Sequence, residues 1–360
     1  KWRSKSFYVL SVIAASKGER DQAIVYAKRS YELDTKNNVA RVYLTQLAGR
    51  EVLSSLFRTE RELVENGDLF FGQKNYVAAQ AEFKAAFELN NENVRAGIKA
   101  AESLWNLNQG DEAIRWLGLV LQKNPKSVDA MLVLGEYLIE RFRFTEAINH
   151  LKKAKSLAKN DYRVIRSYAH YEFKRMNLPA AKDYSEKAIR VYDSDIQSHI
   201  ILSESLLLLG ATDQAYKTIA RAVSLEPLNV EAQATYAKVL ASFQGATTGE
   251  KYILNLINTY PSIMEYRVAL AKIYLMDNQI EKAKGVLIPI TQVRSDYKPA
   301  FMNLAEAYYQ EERATEALEA YLNAASLDPT DAEPLVRVGL IYQATNKAFE
   351  AITQYERAIK

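Results

Sequence analysis

The chain has 360 residues, 48% of them apolar and 25% charged, which is the balance of a folded chain with enough apolar side chains for a buried core. Its 47 basic and 44 acidic side chains leave a net charge of +3, too even to mark a nucleic-acid or anionic-membrane binder, and the absence of cysteine excludes disulfide scaffolds, thiolate zinc sites and thiol nucleophiles. Only 13 glycines and 8 prolines punctuate it, too few turn residues for a long β protein, so the expected class is all-α. No run approaches the roughly 18 consecutive apolar residues of a membrane span, so no membrane insertion is expected within 1–360.

In chain order, residues 4–37 form a first unit of two short helical segments carrying Leu10, Gly18, Ala23 and Ser30. Residues 38–59 follow a different pattern. Val39, Val42, Leu44, Leu47, Val52, Leu53, Leu56 and Phe57 are spaced as on a helix with Gly49 as its kink, which predicts an extra or lengthened helix there. That insertion is either a decayed repeat that has lost its turn or a dedicated docking element.

From Glu60 onward the chain repeats itself every 34 residues, with units at 60–93, 94–127, 128–161, 162–195, 196–229, 230–263, 264–297, 298–331 and an incomplete 332–360. Alanine marks position 20 of the frame at Ala79, Ala113, Ala147, Ala181, Ala215, Ala283, Ala317 and Ala351, with Gly249 the exception. Twelve residues earlier, position 8 holds Gly67, Ala101, Gly135, Ala169, Ser203, Ala237, Ala271, Ala305 or Gly339, all small. Two helices of a hairpin approach closely only where small side chains face each other, so position 8 of the first helix is expected against position 20 of the second. Pro125, Pro227, Pro261 and Pro329 keep the same period and end second helices. Within a unit, Met131, Leu134 and Leu138, then Ala147, Leu151 and Ala154, follow helical spacing on two segments.

This pattern resembles the tetratricopeptide repeat (TPR) family. The unit 298–331 carries the family's full set in Phe301, Leu304, Ala305, Tyr308, Ala317, Tyr321, Ala324 and Pro329, while the unit 128–161 has Lys159 where the proline belongs. The resemblance implies a right-handed superhelical solenoid of antiparallel helix pairs and a concave wall lined by positions 2, 5, 9 and 12 of the first helices. The incomplete last unit shows no polar capping helix, so the native chain is expected to continue past Lys360, or another subunit to cover that face and mediate oligomerisation. Pro289, inside a second helix, is expected to kink or shorten it.

Catalytic and metal constellations are not readable. His150, His170 and His199 share no ligand spacing, and no Ser-His-Asp arrangement is apparent. The segment 67–74 looks faintly like a phosphate-cradling loop but lacks the adjacent glycine, lysine and hydroxyl of that motif, and Gly67 already has a repeat role. The two glycines of 245–250 fall where an inter-helix turn belongs and are assigned to turn geometry.

What remains is a surface. Position 5 of the wall is largely apolar, and positions 9 and 2 carry opposite signs in several units, so neighbouring charges are expected to pair. The lysine and asparagine that form the family's chaperone-tail clamp at positions 5 and 9 do not occur there. The densest candidate for partner binding is Arg95, Lys99, Trp105, Arg163, Arg166, His170, Phe173 and Lys174, where cations sit among aromatics and suit a segment with acidic and apolar residues. The expected function is a non-catalytic scaffold for protein partners, with no cofactor, metal or nucleic acid, in assembly of a multiprotein complex. The alternative is a helper region of a larger secretion, polysaccharide-export or enzymatic protein whose active domain lies outside these residues. Cysteine-free, tyrosine-rich arrays resemble bacterial envelope and assembly proteins in style, which leaves cytoplasm and bacterial periplasm both open.

Overall fold

A computed structural model describes residues 2–34, 39–40, 42–44, 46–47 and 58–359 of the chain. The described residues are helical between short turns, with no strand among them, and within residues 91–360 consecutive helices pack as antiparallel pairs that stack into a solenoid. The chain forms two compact units, Lys1–Asn90 and Asn91–Lys360.

In the first unit, helices Trp2–Ser16 and Arg20–Leu33 are drawn together by small polar residues. The Ser4 and Ser30 hydroxyls each donate to the other's backbone carbonyl at 2.7 Å, and Ser11 donates to the Ala23 carbonyl at 2.7 Å. Each bond satisfies a buried hydroxyl at a point where a larger side chain would hold the backbones apart. Of the expected insertion 38–59, residues 39–40, 42–44 and 46–47 are helical, with Ala40 and Leu44 buried and Tyr43 edge-on to Tyr8. Gly49 and the segment 48–57 lie outside the described residues. The helix Glu60–Gly72 then starts on a capping box, in which the Thr59 hydroxyl accepts from the Glu62 backbone and the Glu62 carboxylate accepts from that of Thr59.

The second unit repeats one local grammar. Most second-to-first junctions place Asn93, Ser127, Asp161, Asp195, Asn229 or Asp331 at the N-cap, where the side chain accepts an otherwise orphaned backbone N–H. Each hairpin turns through a residue in the left-handed region, as at Asn108, Phe142, Met176, Gly210, Asn278 and Glu312. That residue lets the next N–H reach back into the last helical turn, as Arg143 does to Leu138 at 2.8 Å.

The hairpin of 230–263 departs from this grammar. A single residue, Gly245 (φ 97°), joins Val230–Gln244 to Ala246–Thr259, a backbone angle that glycine adopts without strain. Gly249 is not a turn residue but lies inside the second helix, pressed on the first. Its assignment to turn geometry is corrected to close packing, because a Cβ there would stand 2.5 Å from Ala241 Cβ and 2.6 Å from the Ala237 carbonyl. Elsewhere position 8 meets position 20 through the Ser203 hydroxyl, which donates to the Ala215 carbonyl at 2.9 Å. Where position 8 is glycine, a bulky residue of the second helix fills the space: Phe83 at Gly67, Leu151 at Gly135 and Tyr355 at Gly339.

The helix Ile280–Val293 is not shortened by Pro289; it has 14 residues, like Gly110–Lys123 and Thr212–Leu225. Pro289 lies on the exposed face, and the carbonyl that loses its helical donor belongs to Gly285, which has open space beside it. Within Asn91–Lys360, first helices pack on the first helices of adjacent repeats, whereas second helices do not pack on one another to a comparable extent. The first helices therefore line the shorter, inner radius of the stack.

Candidate functional site: the inner wall of the second unit

The inner wall is charged, and its charges are largely spent on each other. Neighbouring repeats are stitched by groups 34 residues apart: Arg163 to Asp129 at 2.5 Å, Lys174 to Glu140 at 2.7 Å, Gln197 to Glu231 at 2.7 Å, and Lys238 to Glu204. In three of these four pairs a cation of one repeat meets a carboxylate of the preceding one.

The eight residues singled out from the sequence all lie in this unit, in different settings. Arg95 is exposed, and Lys99 donates to Glu102 at 2.6 Å. Trp105 lies flat on Tyr137, with ring centroids 4.0 Å apart. Arg163 forks onto Asp161 while also reaching Asp129; those hydrogen bonds raise the guanidinium and hold the Asp161 carboxyl below the usual carboxylate range. Arg166 donates to the buried Asp195 at 2.8 Å, and Asp195 also accepts from the Ser198 hydroxyl. Phe173 is half-buried on the same helix, Tyr162–Lys174.

His170 and Lys174 converge on Glu140, at 2.9 and 2.7 Å. Burial alone would raise the Glu140 carboxyl, but these two donors outweigh it and bring it down to about 2. The lowered value means that Glu140 stabilises the fold fully above its ordinary value of 4.5 and loses that contribution as pH falls toward about 2. Because the carboxylate is about a third exposed, water screens part of the pairing. Glu140→Gln is expected to cost about 1–2 kcal/mol at pH 7 in urea unfolding and to flatten the stability loss between about pH 4.5 and 2. An unchanged acid limb would show that the pairing is energetically silent.

A polar cleft of about 230 Å³ opens between these helices, lined by Glu136, Arg166, Ser167, His170, Gln197 and Glu231 among others. Glu136 meets water yet is enclosed by the surrounding wall; that desolvation raises its carboxyl, against the pull of His170 and Arg166. Further along the wall, desolvation and then the neighbouring Lys238 lower the Lys272 ammonium. Among the described residues no group of three or more His, Asp or Glu side chains could hold a metal ion, and no helix is long and apolar enough to cross a membrane.

One cluster was invisible in the repeat pattern. Arg141, which ends a first helix, pairs with Asp328 at 2.8 Å, and its guanidinium stacks over the Trp105 ring at 4.9 Å. Lys298 and Asp331 complete the cluster. Neither position 14 nor position 31 has a repeat role, so nothing in the period could have flagged Arg141 or Asp328.

Two stretches, residues 70–132 and 268–332, match sequence models of the tetratricopeptide repeat. The chain is similar to tetratricopeptide repeat protein 21B of Xenopus laevis, 18% identical over 96% of this chain, and spans 27% of that relative's length. Among solved structures, it is similar to the Cut9 and Hcn1 hetero-tetramer of the APC/C, with 12% identity, 99% of this chain and 73% of that one covered, and a TM-score of 0.49. A tetratricopeptide repeat protein from Parabacteroides merdae gives 12% identity, 84% and 99% coverage and a TM-score of 0.49. PilF of Pseudomonas aeruginosa gives 18% identity, 58% and 95% coverage and a TM-score of 0.44.

Proposed function

Because the chain belongs to the tetratricopeptide repeat family, we propose that it is a scaffold that holds a protein segment along the inner wall of residues 91–360 and so assembles a multiprotein complex. The observation that carries this reading is the continuous run of first helices on the inner radius, interrupted by the polar cleft beside Arg166, His170 and Glu136. Stacked repeats fix contact groups at regular intervals, so affinity is gathered from many modest contacts on a wall that is already ordered.

The partner contacts fall on Arg95, Lys99, Trp105, Arg163, Arg166, His170, Phe173 and Lys174. Most of the cations among them already hold a carboxylate. A partner with its own acidic groups exchanges one ion pair for another at little desolvation cost, while its apolar groups gain burial on the aromatics. Such exchange favours specificity of register over raw strength.

The test is affinity capture from the native cell with quantitative mass spectrometry, wild type against Arg166→Ala with Phe173→Ala. Loss of specific partners with an unchanged far-UV spectrum supports the reading, and equal capture rejects the site. At the other end of the unit, the last helix, Ala348–Ile359, turns Phe349 and Ile352 outward. Oligomerisation through that face would bury them, and concentration-dependent sedimentation reads it.

A further inference from the structure

We propose that Arg141, Asp328 and Asp331 form a clasp that closes the inner wall of residues 91–360 on itself, and that a partner segment reaches the wall by opening it. The second half of this proposal rests on the scaffold reading above. In a solenoid each repeat touches only its neighbours, so stacking alone gives no reason for side chains 187 residues apart to meet. Here they meet and are sealed from water. Arg141 Nη2 donates to Asp328 Oδ2 at 2.8 Å, Nη1 lies 3.9 Å from Asp331 Oδ1, and the three residues are 8%, 3% and 6% exposed. Lys298 pairs with both aspartates, so two positive and two negative groups balance. Asp328 also accepts from the Thr330 hydroxyl, and Asp331 caps the next helix by accepting from the Glu333 backbone.

Gly110 builds the seat for the guanidinium. A Cβ at that position would stand 2.0 Å from Arg141 Nη2 and 2.6 Å from Nε, so a side chain there collides with the closed clasp.

Two features make the contact openable. No helix of residues 128–161 packs along a helix of 298–331 among the described residues, so parting them forfeits little apolar burial. A buried ion pair also sits near balance, since the Coulomb gain of pairing is largely offset by desolvation. Arg141 Nε is buried without a hydrogen-bond partner, which weights the balance further toward opening. The closed clasp walls a second cleft, about 220 Å³, that includes Trp105 and Lys174 of the candidate partner site. Opening therefore uncovers binding groups as well as the passage to them.

The chain contains no cysteine, so Thr145→Cys with Asn323→Cys places two spin labels cleanly at exposed positions on either side of the contact. Pulsed electron paramagnetic resonance of this pair is expected to give one narrow distance. Gly110→Ala, and separately Asp328→Asn with Asp331→Asn, are expected to lengthen and broaden it; asparagine preserves the N-cap, so the helix start is kept. In a second arm, Lys272→Cys on the inner wall is reacted with N-ethylmaleimide and with a 5-kDa polyethylene glycol maleimide. The opened variants are expected to speed the bulky reagent about tenfold relative to the small one, the change expected when a state populated at about a tenth becomes dominant. Distances unchanged in both variants overturn the clasp, and lengthened distances with an unchanged bulky-reagent rate overturn its role in entry. Neither arm uses a partner, so either failure is distinct from failure of the Arg166 and Phe173 capture test.

Discussion

Phe83→Ala is expected to lower the stability of the hairpin formed by Glu60–Gly72 and Tyr76–Leu89 by about 3–5 kcal/mol, the usual cost of emptying an aromatic core site. The Phe83 ring is fully buried and fills the space that the absent side chain of Gly67 leaves, where a Cβ would be 2.6 Å away. It also leans edge-on against Phe71, with centroids 6.5 Å apart. Truncation therefore removes both the apolar burial and the packing partner on which the glycine depends. Hydrogen exchange resolves such a local effect better than a global melt, because repeat arrays need not unfold in one step. Amide protection over residues 60–89 should fall by about 100-fold or more, at 1.4 kcal/mol per factor of ten. Protection within a few-fold of wild type would mean that this helix contact does not hold the hairpin.

Gly249→Leu is expected to cost about 3 kcal/mol, the upper end of the range for overpacking, because the atoms it meets cannot move aside. A Cβ at 249 would lie 2.5 Å from Ala241 Cβ, 2.6 Å from the Ala237 carbonyl and 2.9 Å from Ala241 Cα, two of them backbone atoms. The one-residue turn at Gly245 gives the two helices no slack to separate. Gly249→Ala sets the same clash against a helix-propensity gain of about 1 kcal/mol and should lose less. Gly285→Ala is the control, since nothing lies within 4 Å of its Cβ and only the propensity gain remains. Urea unfolding followed by circular dichroism should rank the variants Gly285→Ala, wild type, Gly249→Ala, Gly249→Leu from most to least stable. A Gly249→Leu variant as stable as wild type would disprove the close crossing.

Much of the fold was legible because it is written locally and many times. Small residues at positions 8 and 20 mean the same thing in every unit, so a single ambiguous match such as Ser203 against Ala215 is read from its register. The register also exposed Gly249 as different, but not why. The shortened turn depends on Phe243 and Gln244 continuing the first helix by two residues, a choice the apolar pattern does not encode. The expected shortening at Pro289 fails for a related reason: the penalty depends on which face the proline occupies, and here that face is exposed.

The candidate site divides along the same line. Sequence named the cations and aromatics of the inner wall and the opposite signs of its rows, since the period fixes each position on a first helix and the resemblance to the repeat family says which positions face inward. It did not show that Glu140 would draw both His170 and Lys174, or that Asp195, rather than a partner, would hold Arg166.

By itself, then, the amino-acid order determined the helical hairpin, its length and its close crossing, all consequences of contacts within one or two periods of chain, while the face turned inward was implied by the resemblance to the repeat family. Only the tertiary structure decided that Arg141 would meet Asp328 across 187 residues. That meeting depends on small rotations accumulated over successive repeats, which no single repeat contains.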